Sequence, residues 1–451
     1  MNSASKSIVM KKIFSLIIIV LSWYQLTAQK KEFYLKDYGA KGDGVTDDKA
    51  AIQSCIKDAY ANNGVAVLTP GKYRINKAIY FYLKDNNPLS VKGQPDAKGN
   101  YPVIVTDKLE SIFVFESDPN KPAGNVQLSQ LELVGNNVPY SPSHPYFGKH
   151  DVYASGVACF NLKSVSVSNL TVRNIYGEGI NVRNWNYQKN PIANRFTNVD
   201  ITDNKILNCW GANPPTPNGG PSDEYGDGVY VNNATNISIL RNQIVNDLAV
   251  TKQFGRAGIV IEYNCDDATI EKNTVSGYDR DIHLEGDFGG HMIRNNKLIG
   301  SDFSICVYGN LHTGPQKPIS IVNNYLSNEG IPDNLQLIRV RSKDERSLIS
   351  FYSENDTRQN SVISGNTFNM TPNSGIVGNS FLKVYEDNLQ VSNNQFNNLT
   401  KSKVGIYYDK KPQKMTNEVY KNVNLNFNKN IKADFIRSNN KLSNSNTNLA
   451  L

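Results

Sequence analysis

An all-β parallel helix, a solenoid of stacked coils, is the fold this sequence predicts, and three observations point to it. First, from about residue 160 onward one phrase recurs: an aliphatic residue, two others, an asparagine, one more, then another apolar residue. It reads Ile201…Asn204…Ile206, Ile239…Asn242…Ile244, Ile270…Asn273…Val275 and Ile293…Asn296…Leu298. It continues as Ile321…Asn324…Leu326, Ile363…Asn366…Phe368 and Val391…Asn394…Phe396. Second, successive asparagines are 38, 31, 23, 28, 42 and 28 residues apart. A floor near 23 with variable excess describes one stackable coil with loops inserted into some copies. Third, only 39% of the 451 residues are hydrophobic, while polar turn-formers are abundant and helical periodicity is scarce. Many short strands joined by polar turns fit that balance. The repeated asparagine is expected at a bend with positive φ, its amide stacked on that of the next coil.

The chain opens with Met10-Lys11-Lys12 and the apolar run Ile13 to Leu21, followed by Leu26-Thr27-Ala28. A basic start, a short apolar core and small residues after it read as a signal peptide over residues 1–29. The apolar run is shorter than the ~20 residues that span a bilayer, which argues against a membrane anchor. A secreted or periplasmic protein with no membrane span after cleavage is therefore expected. Cleavage removes Lys6, Lys11 and Lys12, so the formal charge of +7 falls by three to +4. Such an excess permits an anionic substrate without requiring one. No basic run or aromatic-basic module points to nucleic acid. The five cysteines, Cys55, Cys159, Cys209, Cys265 and Cys306, lack metal-type spacing and read as small buried residues with at most two bridges.

Next comes Tyr38-Gly39-Ala40-Lys41-Gly42-Asp43-Gly44-Val45-Thr46-Asp47-Asp48, then a helical stretch with Ala51, Ile52, Cys55, Ile56 and Ala59 on one face. Thr46 or Asp47 suits its N-cap. Val65-Ala66-Val67-Leu68 reads as a strand and Thr69 to Tyr73 as a turn. Residues 34–75 resemble the opening segment of the pectate-lyase-like superfamily of secreted right-handed parallel β-helix proteins. The resemblance implies a right-handed solenoid whose N-terminal helix caps the open end, where apolar core and strand edges would otherwise meet water. Residues 30–400 are expected to form this one domain, and 401–451 a C-terminal extension with a disordered end. Loops at 136–153, 185–194 and 210–225 carry aromatics, among them Trp185, suited to stacking on sugar rings.

Aligning the segments before each asparagine phrase gives a register. Ile180 to Arg183, Val229 to Asn232, Ile259 to Glu262, Ile282 to Glu285 and Ile305 to Tyr308 share one alternation, so their second and fourth residues face outward. The fourth column is Arg183, Asn232, Glu262, Glu285 and Tyr308; the second includes Tyr230, His283 and Cys306. Both are expected to continue to Arg339 and Arg341. Neighbouring rungs lie ~4.8 Å apart, so Glu262 and Glu285 are expected side by side, one with a raised pKa. That separation approaches the ~5–5.5 Å of a retaining glycosidase pair. Glu285 and Asp287, two residues apart, would stand ~6.5–7 Å apart if the strand continued, near the inverting range.

Three further resemblances bear on the chemistry. Gly226-Asp227-Gly228 is similar to the Asn-Thr-Asp-Gly segment of polygalacturonases, which implies a catalytic Asp227; the next coil has Arg256-Ala257-Gly258 where those enzymes carry an Asp-Asp pair. Glu285-Gly286-Asp287 resembles the Glu-x-Asp of iota-carrageenases. The opening segment also resembles alginate C5-epimerases, but their Asp-Pro-His-Glu phrase is absent, which argues against epimerisation.

The reading is a glycoside hydrolase acting on an acidic plant or algal polysaccharide, with Glu262, Glu285, Asp287 and Asp227 as catalytic candidates. Arg183, Asn232, Tyr230, His283, Tyr308, Arg339, Arg341 and Trp185 are the candidates for holding substrate. A β-elimination lyase is the enzymatic alternative, with Arg183, Arg256, Arg280 or Arg339 as base. In that case Asp266, Asp267, Asp279 and Asp281 would hold Ca²⁺ through oxygen ligands; otherwise no cofactor or metal is expected. A non-catalytic glycan-binding β-helix is the third reading. A monomer is expected in each case.

Overall fold

The computed structural model describes residues 30–136, 154–186, 192–211, 226–308, 316–332, 346–352, 358–372, 380–384, 386, 388–401, 404–408, 414–419, 423–427 and 441–442. Every strand pair among them is parallel, in one 25-stranded and one 12-stranded sheet. The larger sheet is two ladders that run along separate faces and merge at Gln390–Asn398, which pairs with both Val362–Ser364 and Thr367–Met370. A coil therefore contributes three short strands, and the interior fills with their inward aliphatic side chains. This is the expected parallel β-helix, a sheet fully paired along its length with its apolar face enclosed.

The asparagine phrase forms the corner between the two halves of the larger sheet. Each amide is buried and bonded to the next coil. Asn273 N and Nδ2 donate to Asn296 Oδ1 at 2.9 and 3.0 Å. Asn296 Nδ2 in turn donates to Ile270 O and to Asn324 Oδ1, both at 2.9 Å. The same pattern links Asn204, Asn242, Asn273, Asn296, Asn324, Asn366 and Asn394. The positive φ falls one residue earlier than expected, on Asp203, Arg241, Lys272, Asn295, Asn323, Gly365 and Asn393. The preceding residue makes the bend, and this frees the ladder asparagine to point inward and stack. Asn296→Ala is expected to cost at least about 2 kcal/mol, because buried donors and acceptors left unmatched cost about 1–3 kcal/mol each. A urea midpoint equal to wild type would show that the ladder contributes nothing.

The helix lies at Lys49–Ala61 and buries Ile52, Cys55, Ile56 and Ala59 against the core, while Ala51 is half-buried. Neither Thr46 nor Asp47 is its N-cap; Asp48 holds that position without a side-chain capping bond. The buried Asp48 carboxylate instead accepts from Lys41 N at 2.7 Å and Gly42 N at 3.0 Å, which pins the glycine-rich turn before the helix.

The coils do not stop at residue 400. Val404–Tyr408 and Val423–Phe427 extend the 12-stranded sheet, so the expected domain boundary at 400 falls inside continuing β-structure. All five cysteines are free and buried. Among the described residues no helix is long and apolar enough to cross a membrane. Residues 1–29, most of the end of the chain, Arg339 and Arg341, and most of the three aromatic loops lie outside the described residues.

Candidate active site

The strands Gly177–Arg183, Asp227–Asn232, Gly255–Glu262, Tyr278–Glu285 and Phe303–Tyr308 are consecutive rungs of the 12-stranded sheet. Their pairing matches the expected register: Asn232 opposes Glu262, Glu262 opposes Glu285, and Glu285 opposes Tyr308. The inner column runs Asn181, Tyr230, Val260, His283, Cys306. The next rung is Ser347–Tyr352, which places Ser350 after Cys306 and Tyr352 after Tyr308. The next described rung after Tyr308 is thus at 347–352, and Arg339 and Arg341, expected to continue the columns, lie outside the described residues.

Glu262 and Glu285 differ sharply in surroundings. The Glu262 side chain is 5% exposed, that of Glu285 30%. His283 stands between them, its Nε2 at 3.4 Å from Glu262 Oε1 and 2.9 Å from Glu285 Oε2. Arg256 Nη1 approaches Glu262 at 3.4 Å. Burial alone would push the Glu262 carboxyl up, but Arg256, His283 and the Tyr230 hydroxyl outweigh it and hold the group at about 2. The expected raised pKa is therefore not at Glu262. Burial opposes a charge on His283 too, yet Cys306, Glu262 and Glu285 prevail and raise it to about 10. His283 Nδ1 makes no hydrogen bond within geometric limits, whereas its Nε2 lies within reach of both carboxylates.

The other carboxylate candidates are pinned. Arg256 Nε and Nη2 grip Asp227 at 3.0 and 2.7 Å, and Ala257 N donates to it at 3.1 Å. Asp227 thus anchors Arg256 rather than facing substrate. Arg256, offered as a base, is held protonated: burial favours its neutral form, but Asp227 and Glu262 override that. Asp287 is a clearer correction. Gly286, at φ 61°, ends the strand after Glu285, and Asp287 turns into the interior. There it is fully buried, bonded to Arg358 Nη2 at 2.9 Å, His291 Nε2 at 3.0 Å and Gly289 N at 2.7 Å. Burial would raise its carboxyl, but Arg358 and His291 hold it well below the usual range. A group so enclosed cannot activate a water on the outer face.

Of the binding candidates, Asn232 is fully buried and accepts from Asn184 N at 2.8 Å. Tyr230 is buried under Arg183, whose guanidinium lies 4.3 Å from its ring centroid, with Arg256 at 5.8 Å. His283 is buried as described. These three shape the site from beneath. Arg183 and Tyr308 are half-buried, and Trp185 is 45% exposed. Tyr308 leans on His283, with ring centroids 5.5 Å apart.

Sequence reasoning missed Glu178. It stands two residues before Ile180, which opposes Val229, and so occupies the rung before Asp227. Ser155 Oγ donates to it at 3.3 Å, and Arg183 Nη2 lies 3.7 Å away. Burial pushes its carboxyl up to about 7; Arg183 opposes this and Asp227 adds to it. Strict alternation would not have found it, since counting back from Ile180 gives Glu178 the parity of the inward Ile180 and Val182. Because the folded value lies above the unfolded one, the penalty grows between about pH 4.5 and 7 and is constant above. Glu178→Gln is thus expected to stabilise the fold by about 3 kcal/mol at pH 8. At pH 4 it should do nothing, and equal gains at both values in chemical denaturation would refute the assignment.

Glu262, His283 and Glu285 are the one metal-capable group among the described residues, with a ligand atom from each within 4.8 Å of the others. A cation there would have to displace the proton that His283 retains to about 10. The aspartates expected to hold Ca²⁺ do not converge. Asp266 pairs with Arg195 at 2.7 Å, Asp267 with Lys317 at 2.6 Å and Asp279 with Arg280 at 3.4 Å. Asp281 is fully buried, accepts from Ser301 Oγ at 2.8 Å, and is pushed well above its usual range by burial.

Residues 33–140 match the family described as "Rhamnogalacturonase A/epimerase, pectate lyase-like". That match spans under a quarter of the chain, and the fold around it is a parallel β-helix. This chain is similar over one short stretch to carbohydrate-active enzymes. It is 50% identical over 48 residues to mannuronan C5-epimerase AlgE4 of Azotobacter vinelandii, which is 10% of this chain and 9% of that protein. It is also 50% identical over 46 residues to alginate lyase 7 of the same organism, 10% of this chain and 5% of the relative. The matches thus span under a tenth of these relatives' length. Among solved structures, the AlgE6 A-module of Azotobacter vinelandii aligns with a TM-score of 0.46 and 17% identity, over 82% of this chain and 94% of that one. DFA-IIIase from Arthrobacter chlorophenolicus A6 aligns with a TM-score of 0.49 and 13% identity, over 92% and 90%.

Proposed function

We propose that this pectate lyase-like chain is a glycoside hydrolase acting on an acidic polysaccharide, with Glu285 as the group that exchanges a proton with the glycosidic oxygen. The observation that carries the reading is the Glu262–His283–Glu285 row, in which Glu285 alone opens to solvent. His283, charged at neutral pH, donates to Glu285 from behind and stabilises the carboxylate left when its proton departs. Glu262, held ionised, keeps His283 charged and places a fixed negative charge beside the developing oxocarbenium-like centre. The flat outer sheet accommodates several sugar units along the rungs.

Elimination on a uronate is the second reading, favoured by one feature: Tyr230 lies against Arg183 and Arg256. Burial pushes its hydroxyl up, so the phenol keeps its proton, and the neighbouring guanidiniums suit a sugar carboxylate. A screen of plant and algal polysaccharides with product mass spectrometry separates the two. Products heavier by one water with an intact reducing end support hydrolysis. New ultraviolet absorbance from an unsaturated sugar overturns it in favour of elimination. Binding without turnover on every substrate leaves a glycan-binding protein.

A further inference from the structure

Away from the Glu285 row, the turns that leave four successive rungs of the same sheet enclose an open cleft of about 450 Å³. Lys84 follows the strand Ile79–Tyr82, Lys121 follows Phe113–Glu116, Lys163 follows Ala154–Phe160, and Asn194 follows Gly177–Arg183. The lining thus carries one lysine per rung over three rungs, about 4.8 Å apart along the axis, a spacing comparable to one pyranose unit. Among the described residues no carboxylate pairs with these lysines. Asp85, the acidic residue of the lining, already accepts the Tyr60 hydroxyl at 2.6 Å.

An aromatic platform adjoins the cleft. Trp185 is 45% exposed and packs on Phe160 with ring centroids 4.9 Å apart, while the Arg183 guanidinium lies 5.3 Å from the Trp185 ring. The neighbouring Asn186 donates through Nδ2 to Oδ1 of Asn120, a residue of the cleft wall, at 2.7 Å. Platform and cleft are therefore one continuous surface. An exposed indole supported from behind offers a flat apolar face to a sugar ring, and a row of three lysines against the single carboxylate of Asp85 leaves a net positive lining that attracts repeated negative charge.

We propose that this surface is a second binding site for a glycan bearing carboxylate or sulfate groups on successive sugars. It holds the polymer on Trp185 and along Lys84, Lys121 and Lys163 while another stretch of the same chain lies on the Glu285 row. The inference deepens the acidic-substrate part of the proposed function and rests on it for what happens at the far end. The cleft itself performs no chemistry.

The test is calorimetric binding by the full chain carrying Glu285→Gln, so that nothing is consumed. The probes are polygalacturonate, a sulfated galactan, dextran as a neutral glycan and a single-stranded oligonucleotide as a non-sugar polyanion. Tight, salt-sensitive binding of at least one acidic glycan and not of dextran is expected, and whichever acidic probe binds tells carboxylate from sulfate. Adding Lys84→Ala, Lys121→Ala and Lys163→Ala together should weaken that binding at least tenfold. Trp185→Ala, which changes no charge, should weaken it without lowering the salt dependence. Circular dichroism matching the parent protein shows that the variants are folded. Unchanged affinity in the triple-lysine variant overturns the proposal, as does equal binding of dextran or of the oligonucleotide. A Glu285→Gln protein that still turns over its substrate would refute the proposed catalytic role alone and leave the binding result standing.

Discussion

Glu285→Gln is expected to lower kcat by about 10²–10⁴-fold, the usual contribution of a positioned general acid or base. KM should change little, because glutamine has nearly the same shape and keeps an oxygen that accepts from His283. The thermal midpoint should also hold, since the side chain is partly exposed and its carboxylate is bonded to a single neighbour, His283. Glu262→Gln should behave differently. It removes the charge that faces both Arg256 and His283, so stability and turnover fall together. The pH dependence of the row follows in sign. The Glu262 carboxyl lies below its unfolded value, so its contribution is complete above about pH 4.5 and is lost as pH falls toward 2. His283 lies above its unfolded value, so its contribution is complete below about pH 6.5 and is lost as pH rises through 10. A Glu285→Gln enzyme with wild-type kcat would end the catalytic assignment.

Asp287→Asn is expected to destabilise the fold by about 3–5 kcal/mol, the cost of breaking a buried charge pair from one side. Arg358 is fully enclosed and bonded to Asp287, so the substitution removes a negative charge that faces its guanidinium in the interior. The asparagine keeps an oxygen that His291 Nε2 can still reach, so the loss is of charge, while His291 Nδ1 continues to accept from Ala268 N at 3.1 Å. Replacing both partners, Asp287→Leu with Arg358→Met, should recover part of the loss because the two charges leave together. Guanidinium denaturation of the three proteins decides this. A wild-type midpoint for Asp287→Asn would show that the pair does not support the turn, and would reopen a functional role for Asp287.

The architecture was legible because its cause is local and repeated. A two-residue alternation fixed which side chains face out, and a single asparagine per coil marked where each begins. The Glu262–Glu285 adjacency followed from the same counting. What escaped was everything set by contacts between rungs rather than along one. Nothing in the sequence near Asp227 shows that Arg256 grips it with two nitrogens, or that Arg358, 71 residues on, reaches Asp287. Solvent access was equally hidden, since an outward residue such as Asn232 can be covered by the preceding rung's turn, whose Asn184 N donates to it. Glu178 was missed because strict alternation back from Ile180 gives it the inward parity of Ile180 and Val182.

The asparagine column fixes the distance between layers but not the amount of chain within each, since the spacing between its members runs from 23 to 42 residues. A pull along the long axis would therefore meet the same resistance at every step while releasing a different length of chain each time. Peeled from its C-terminal end in an optical trap, the protein should give force peaks of similar height and unequal extension, a mechanical bar code for where its inserts lie.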